Sequence, residues 1–140
     1  MSSKKKVLIV CTGNSCRSQM AEGYLRLFAG DRADIFSAGL EAHGLNPRAV
    51  AIMKEDNVDI SSHTSDTLDK YLNIPFDYII TVCDHAKEHC PFFPGNAQRI
   101  HAGFPDPAKA EGSEEEIMQV FRSVRNQIKE FCRTFAEKNL

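Results

Sequence analysis

Short apolar runs alternate along the chain with longer stretches in which apolar residues recur every three or four positions. Lys6 to Val10 (KVLIV) is short, rich in β-branched residues and ends at turn-type residues, which predicts a buried strand. From Ser18 to Ala29, residues Met20, Ala21, Tyr24, Leu25 and Phe28 share one face at helical spacing. Asp34 to Ala38 predicts a second strand. Pro47 to Glu55 predicts a helix, opened by Asn46 as N-cap with Pro47 at its first position. Phe76 to Val82 (FDYIITV) is the clearest later strand, and Arg99 to Ala102 is a shorter one that runs into the Gly/Pro-rich stretch GFPDPAKAEG. Further on, Ser113 and Glu116 form a capping box. Behind it Ile117, Phe121, Val124, Ile128, Phe131 and Phe135 recur at spacings of four, three, four, three and four, the stripe of an amphipathic helix.

Strands and helices in this alternation predict an α/β fold, a doubly wound parallel sheet with helices on both faces. No repeat, low-complexity tract or linker divides the sequence, so residues 1–140 are expected to form one domain. In sheets of this type, ligands bind beyond the carboxyl ends of the strands. Cys11 follows the first strand and Cys83 follows FDYIITV. Both stand on the edge where chemistry is expected.

Composition removes several function classes. A formal net charge of −2 offers no basic surface for nucleic acid or an anionic membrane. The basic start MSSKKK precedes an apolar run too short for a signal peptide, and no run approaches the roughly 20 residues of a bilayer span. A soluble, cytoplasmic protein is expected. Its five cysteines, Cys11, Cys16, Cys83, Cys90 and Cys132, are an odd number. In a reducing compartment such residues are catalytic, metal-binding or buried more often than they are structural disulfides.

The stretch CTGNSCRS, Cys11 to Ser18, lies between the first strand and the first helix. A loop entering a helix N-terminus turns its N–H groups toward one point, and the helix dipole adds positive potential there. Gly13 frees the backbone, Asn14 tolerates left-handed geometry and can brace the loop with its amide, and Arg17 can grip two oxygens of a tetrahedral anion. Thr12, Gly13, Asn14, Ser15, Cys16, Arg17 and Ser18 are thus the expected oxyanion-binding set, with Cys11 as the nucleophile beneath it. The same donors, with the Ser18 hydroxyl, are expected to lower the Cys11 pKa. Cys16 needs no role beyond packing on the first helix.

CTGNSCRSQMAEG, SAGLEAHGLNP, TVC and FPDPA together resemble the thioredoxin-coupled arsenate reductases, which share the fold and anion loop of the low-molecular-weight protein tyrosine phosphatases. The resemblance runs from Val7 to beyond Phe131, with the motifs in the family's order. It implies a four-stranded parallel sheet in the order 2-1-3-4, Cys11 as nucleophile and Arg17 as oxyanion-binding residue. It also implies that Asp106, the Asp before Pro107, is the general acid that protonates the departing oxygen. Pro105 and Pro107 would stiffen that loop. Two positions depart from the family pattern: Pro105 replaces an acidic residue of many relatives, and Ala102 a tryptophan. Ala108 stands where tyrosine phosphatases of this fold carry an aromatic residue for the phosphotyrosine ring.

Cys83 and Cys90 bound the segment CDHAKEHC. If the first and third strands are neighbours, about 4.8 Å apart, Cys11 and Cys83 come near disulfide distance. Were the segment helical, Cys83 and Cys90 would stand about 10 Å apart, beyond the roughly 4.4–6.8 Å Cα separation of a disulfide. A bond between them requires the segment to unwind. The expected reaction is a relay: Cys11 attacks arsenate, Cys83 attacks Cys11 and releases arsenite, and Cys90 attacks Cys83 and frees Cys11. The resemblance implies thioredoxin as the reductant of the final Cys83–Cys90 disulfide. Zinc binding by Cys83, His85, His89 and Cys90 is disfavoured, because adjacent His89 and Cys90 would diverge on a helix. His85, His89 and His101 are expected to be exposed or in loops, and Cys132 to pack on the last helix.

Glu22, Ser37 and Asp66 match positions that, with the loop asparagine Asn14, bind a potassium ion in some family members. The resemblance therefore implies a potassium set of Asn14, Glu22, Ser37 and Asp66, and hydrogen-bond bracing of the loop is the other reading of the same residues. No tightly bound cofactor and a monomeric state are expected. The alternative function is a low-molecular-weight protein tyrosine phosphatase or a phosphatase of small phosphoesters, which would share Cys11, Arg17 and Asp106. A third class, a non-catalytic redox sensor or anion-binding module, would need no acid. The pair Cys83 and Cys90, with no aromatic residue at position 108, favours arsenate reduction.

Overall fold

The computed structural model describes residues 4–91 and 93–140. Its centre is β1 (Lys5–Cys11), flanked by β2 (Ala33–Gly39) and β3 (Tyr78–Thr81), with β4 (Gln98–His101) outermost. All neighbours are parallel, in the order β2-β1-β3-β4. A central parallel strand is covered on both faces, and Val7 to Val10 are fully buried, as their unbroken apolar run requires. The register pairs Val10 with Ala38 on one side and with Thr81 on the other, so Cys11 and Cys83 leave adjacent strands at the same edge.

Among the described residues, four α-helices complete the fold: α1 (Arg17–Ala29), α2 (Pro47–Glu55), α3 (Asp84–His89) and α4 (Glu114–Asn139). The chain turns one way from β1 to β2 and the other way from β3 to β4. Right-handed crossovers therefore set α1 and α3 on opposite faces. Helices α1, α2 and α4 pack on one another, where the Tyr24 hydroxyl donates to Asp56 at 2.7 Å and Lys129 approaches the same carboxylate at 2.8 Å. Cys132 is fully buried on α4, its thiol toward Ala21 O.

The caps follow the sequence. Asn46 accepts from Arg48 N and Ala49 N, and Ser113 and Glu116 bond each other's backbone N–H groups. Strand lengths differ from expectation. Residues 76–77 and Val82 lie outside β3, although Asp77 N still donates to Lys6 O at 2.9 Å and Val82 N to Val10 O at 3.0 Å. β4 begins one residue early, at Gln98, and ends at His101, while Ala102 N still reaches Thr81 O at 2.9 Å. Residues 84–89 form a helix with Cys83 as N-cap and Cys90 as C-cap. Among the described residues, no helix is long and apolar enough to cross a membrane.

Candidate active site

The anion loop is defined by where its carbonyl groups go. Leu40 N donates to Cys11 O, Glu41 N to Thr12 O, His43 N to Gly13 O and Asn46 N to Ser15 O, at 2.9–3.2 Å. Asn14 O accepts from Gln19 Nε2 at 3.0 Å and from the Ser65 hydroxyl at 2.9 Å. Each carbonyl from Cys11 to Ser15 is thus tied outward, and the N–H groups of the same peptides are left for the interior of the turn. What they enclose is a bowl of about 190 Å³ lined by Cys11, Gly13, Ser15, Arg17 and Asp106. Gly39 makes the lacing possible: a Cβ there would lie 2.3 Å from Glu41 O and 2.7 Å from Asn14 N.

Asn14 is the brace. Its φ is 47°, and its side chain is fully buried. The amide donates to the Ser18 and Ser37 hydroxyls, both at 2.9 Å, and its oxygen accepts from Asp66 N at 2.8 Å. Ser18, expected to face Cys11, makes its side-chain bond to Asn14 instead, because the buried amide needs an acceptor there.

Arg17 begins α1 and reaches across the bowl. Nη1 donates to Phe104 O at 3.0 Å, and Nη2 lies 3.6 Å from Asp106 Oδ2. Asp106 is fixed in turn, since its Oδ1 caps the short 3₁₀ turn Pro107–Lys109 by accepting from Ala108 N at 3.0 Å. Arginine and carboxylate therefore meet above Cys11, from opposite ends of the chain. Beside them opens a cleft of about 580 Å³ lined by Thr12, Arg17, Cys83, Asp84, His85, Asp106 and Lys109.

All five cysteines are free thiols, and the Cys11 and Cys83 side chains bear on each other's proton affinity. The Thr12 hydroxyl lies 3.2 Å from the Cys83 sulfur, and Ala86 N donates to it at 3.4 Å. Led by the neighbouring Cys11 thiol, with these two behind it, the surroundings bring the Cys83 pKa down to about 5 against the opposing effect of burial. Cys11 is pushed up, first by Cys83 and then by burial, although Arg17 pulls the other way. Sequence reasoning expected the lowered thiol to be Cys11. In the reduced pair the lowered thiol is Cys83, with Cys11 moved the other way.

The architecture and the loop can be compared with known proteins. Residues 6–140 match the profile of the low molecular weight phosphotyrosine protein phosphatase family. The chain belongs to that family. Among its relatives, an arsenate reductase of Halalkalibacterium halodurans is 54% identical over 96% of each chain. A solved arsenate reductase in its oxidized state superposes with a TM-score of 0.79 at 34% identity, covering 96% of this chain and 98% of that one. A tyrosine phosphatase from Erwinia amylovora superposes with a TM-score of 0.77, over 98% of this chain and 94% of its own, at 19% identity. It shares the fold.

Within this phosphatase family member, the four residues of the potassium set have partners of their own. Ser37 donates to Glu22 Oε1 at 2.5 Å and accepts from Asn14, while Glu22 Oε2 takes Arg26 Nε at 2.8 Å. The Asp66 carboxylate accepts from Thr64 at 2.6 Å and lies near Lys70 and Tyr71. Each oxygen of the set already has a donor, and Arg26 supplies the positive charge beside Glu22. As arranged, the four residues stand together and brace the loop by hydrogen bonds. Cys83 and Cys90 sit at opposite ends of α3, whose His85 and His89 rings lie together at 4.5 Å. Cys16 is buried and N-caps α1. His101 is exposed, as expected, although it lies in β4, where its ring bonds both Thr81 and Asp84.

Two contributors escape sequence reasoning. His43 lines the bowl with its ring against Gly13, so close that a Cβ at Gly13 would lie 2.3 Å from Nδ1. Thr12 was legible as part of the loop, but its bond to Cys83 comes from a residue 71 positions away. The only sequence signal for His43 was its place in SAGLEAHGLNP. The signal for the Thr12 contact was the adjacency of β1 and β3.

Proposed function

We propose that this protein reduces arsenate to arsenite through Cys11, Cys83 and Cys90, and that thioredoxin regenerates it. The observation that carries the reading is a second cysteine, Cys83, which leaves the strand beside β1 and lines the cleft that adjoins the Cys11 bowl. A hydrolytic phosphatase needs one sulfur there and a path for water. The arsenate reductases among the relatives support the substrate, and the same bowl suits any tetrahedral oxyanion.

The steps balance as follows. The reduced pair of Cys11 and Cys83 carries one proton, and Cys11 attacks the arsenic when that proton moves to Cys83. One oxygen leaves as water with a proton from Asp106, while Arg17 and the loop N–H groups hold the remaining oxygens. After losing its proton to solvent, Cys83 attacks the Cys11 sulfur. The S–As electron pair departs with arsenic, which becomes As(III), and a Cys11–Cys83 disulfide forms. Cys90 then attacks Cys83, and the Cys11 thiolate leaves. The Cys83–Cys90 disulfide lies in a segment that an external dithiol can reach. Free thiols and an exchangeable disulfide suit a reducing cytoplasm, with the chain acting as a monomer.

The test couples the protein to thioredoxin, thioredoxin reductase and NADPH. Arsenate-dependent NADPH loss is expected, and Cys90→Ser should allow one turnover and then stop. Sustained turnover by Cys90→Ser would sink the relay. Turnover of a phosphate ester without arsenate-dependent oxidation would turn the reading to phosphatase.

A further inference from the structure

Alternate residues of a strand point to the same face, so Arg99 and His101 of β4 stand on one side of the sheet. Both engage α3, one at each end. His101 holds the front. Its Nε2 lies 2.9 Å from Asp84 Oδ1, and its Nδ1 lies 2.8 Å from the hydroxyl of buried Thr81. With a carboxylate on Nε2, that nitrogen carries the proton and Nδ1 accepts from Thr81, which fixes tautomer and ring orientation together. Arg99 holds the back. Its Nη2 donates to Pro91 O at 2.6 Å, one residue past the Cys90 that ends the helix. The charge of the same guanidinium opposes the upward push that burial gives the Cys90 thiol.

We propose that β4 grips the redox segment at both ends and that the two grips do different work. The His101–Asp84 bond keeps Cys83 seated against Cys11, and the Arg99–Pro91 bond opens when Cys90 turns on Cys83. Arg99 and His101 are positioning residues, and their roles rest on the relay reading above. The two ends of α3 stand too far apart for a disulfide while the helix is wound, so one end has to move. Cys83 is the partner in both disulfides and must stay. The back end is therefore the one that travels.

In the exchange, the Cys90 sulfur attacks Cys83. The Cys83–Cys90 bond forms, the Cys11–Cys83 bond breaks, and the Cys90 proton ends on Cys11. The Arg99 bond exists only in the isomer with the helix intact. Removing it weakens that isomer alone and shifts the equilibrium toward Cys83–Cys90. The Asp84 bond exists in both isomers and should leave their ratio unchanged.

The test treats reduced wild-type, Arg99→Met and Asp84→Ala protein with one equivalent of arsenate and no external thiol. The two disulfides are then trapped by alkylation and counted by mass spectrometry, and amide exchange at Cys90 is followed in the reduced proteins. Arg99→Met is expected to shift the ratio about fivefold toward Cys83–Cys90 and to speed Cys90 exchange by a similar factor, the scale of one lost hydrogen bond. Asp84→Ala should leave the ratio within about twofold but slow the burst of arsenite release about fivefold. An unmoved ratio in Arg99→Met overturns the back grip. A shift in Asp84→Ala equal to that in Arg99→Met overturns the division of labour. If wild-type protein forms no Cys83–Cys90 disulfide at all, the relay itself fails, and the grips fail with it as relay devices.

Discussion

The anion loop and the segment from Cys83 to Cys90 share one plan. Each follows a parallel strand, places a cysteine at the strand end and enters a helix. They differ in how firmly they are held. The loop opens the 13-residue α1, its carbonyls are tied outward, and its asparagine is fully buried. The second segment opens a six-residue helix in which Ala86 is the one buried residue. A helix that short has little stability of its own, so its contacts decide whether it stays wound. The contrast matches the proposed chemistry. Attack on an oxyanion needs donors fixed before the reaction. Handing a disulfide outward needs a segment that can come apart.

The sharpest way to break the comparison is at Asn14. Asn14→Ala removes two donated bonds and strands Asp66 N without its acceptor. Leaving buried partners unpaired should cost about 2–4 kcal/mol. For a chain of this length that lowers the melting temperature by roughly 10 °C, with arsenate turnover lost in parallel. Thermal melts followed by circular dichroism decide the first and the thioredoxin-coupled assay the second. If Asn14→Ala melted like wild type, the loop would not be the rigid partner.

The opposite substitution belongs in α3. Lys87 is exposed, and its N–H bonds Cys83 O within the helix. Lys87→Gly should weaken the local helix by about 1 kcal/mol. Because opening this segment is not global unfolding, the melt should move by roughly 2 °C or less, while amides of residues 86–90 exchange several-fold faster. A melt that fell as far as that of Asn14→Ala would place both regions in one cooperative unit.

The strands and helices were legible because apolar periodicity and caps are local signals: KVLIV, the capping box at Ser113 and the stripe on α4 each carry their own evidence, whereas the sheet order came with the family resemblance. Arg17 and Asp106 were legible through motifs, and the two do meet, 3.6 Å apart. The lacing was not legible. Four backbone N–H groups from residues 40–46 carry no sequence signature beyond the glycine at 39 that allows the approach. Nor were the grips on α3, since Arg99 and His101 read as ordinary polar residues of an outer strand until the helix is placed beside them. The neighbouring strands brought Cys83 near Cys11 from the sequence alone, but the contacts of that second sulfur with the Thr12 hydroxyl and Ala86 N could not be counted there.

That sulfur supplies the smallest effect and the closest test of how the two regions meet. The Cys83 pKa, about 5, lies far below that of an ordinary thiol. Above that pH the pair carries a thiolate. As pH falls through it, the reduced pair loses that thiolate, and the first attack on arsenate, which draws on it, should slow in step. Thiolate absorbance near 240 nm should titrate with that midpoint and vanish in Cys83→Ser. Thr12→Val removes one donor from the sulfur, worth about 1 kcal/mol, and should raise the midpoint by about 0.7 pH. Asn14→Ala touches neither the Thr12 hydroxyl nor Ala86 N and should change it less. A low midpoint that survived Cys83→Ser would move the thiolate to Cys11. The rigid loop would then tune its own nucleophile and owe nothing to the segment that unwinds.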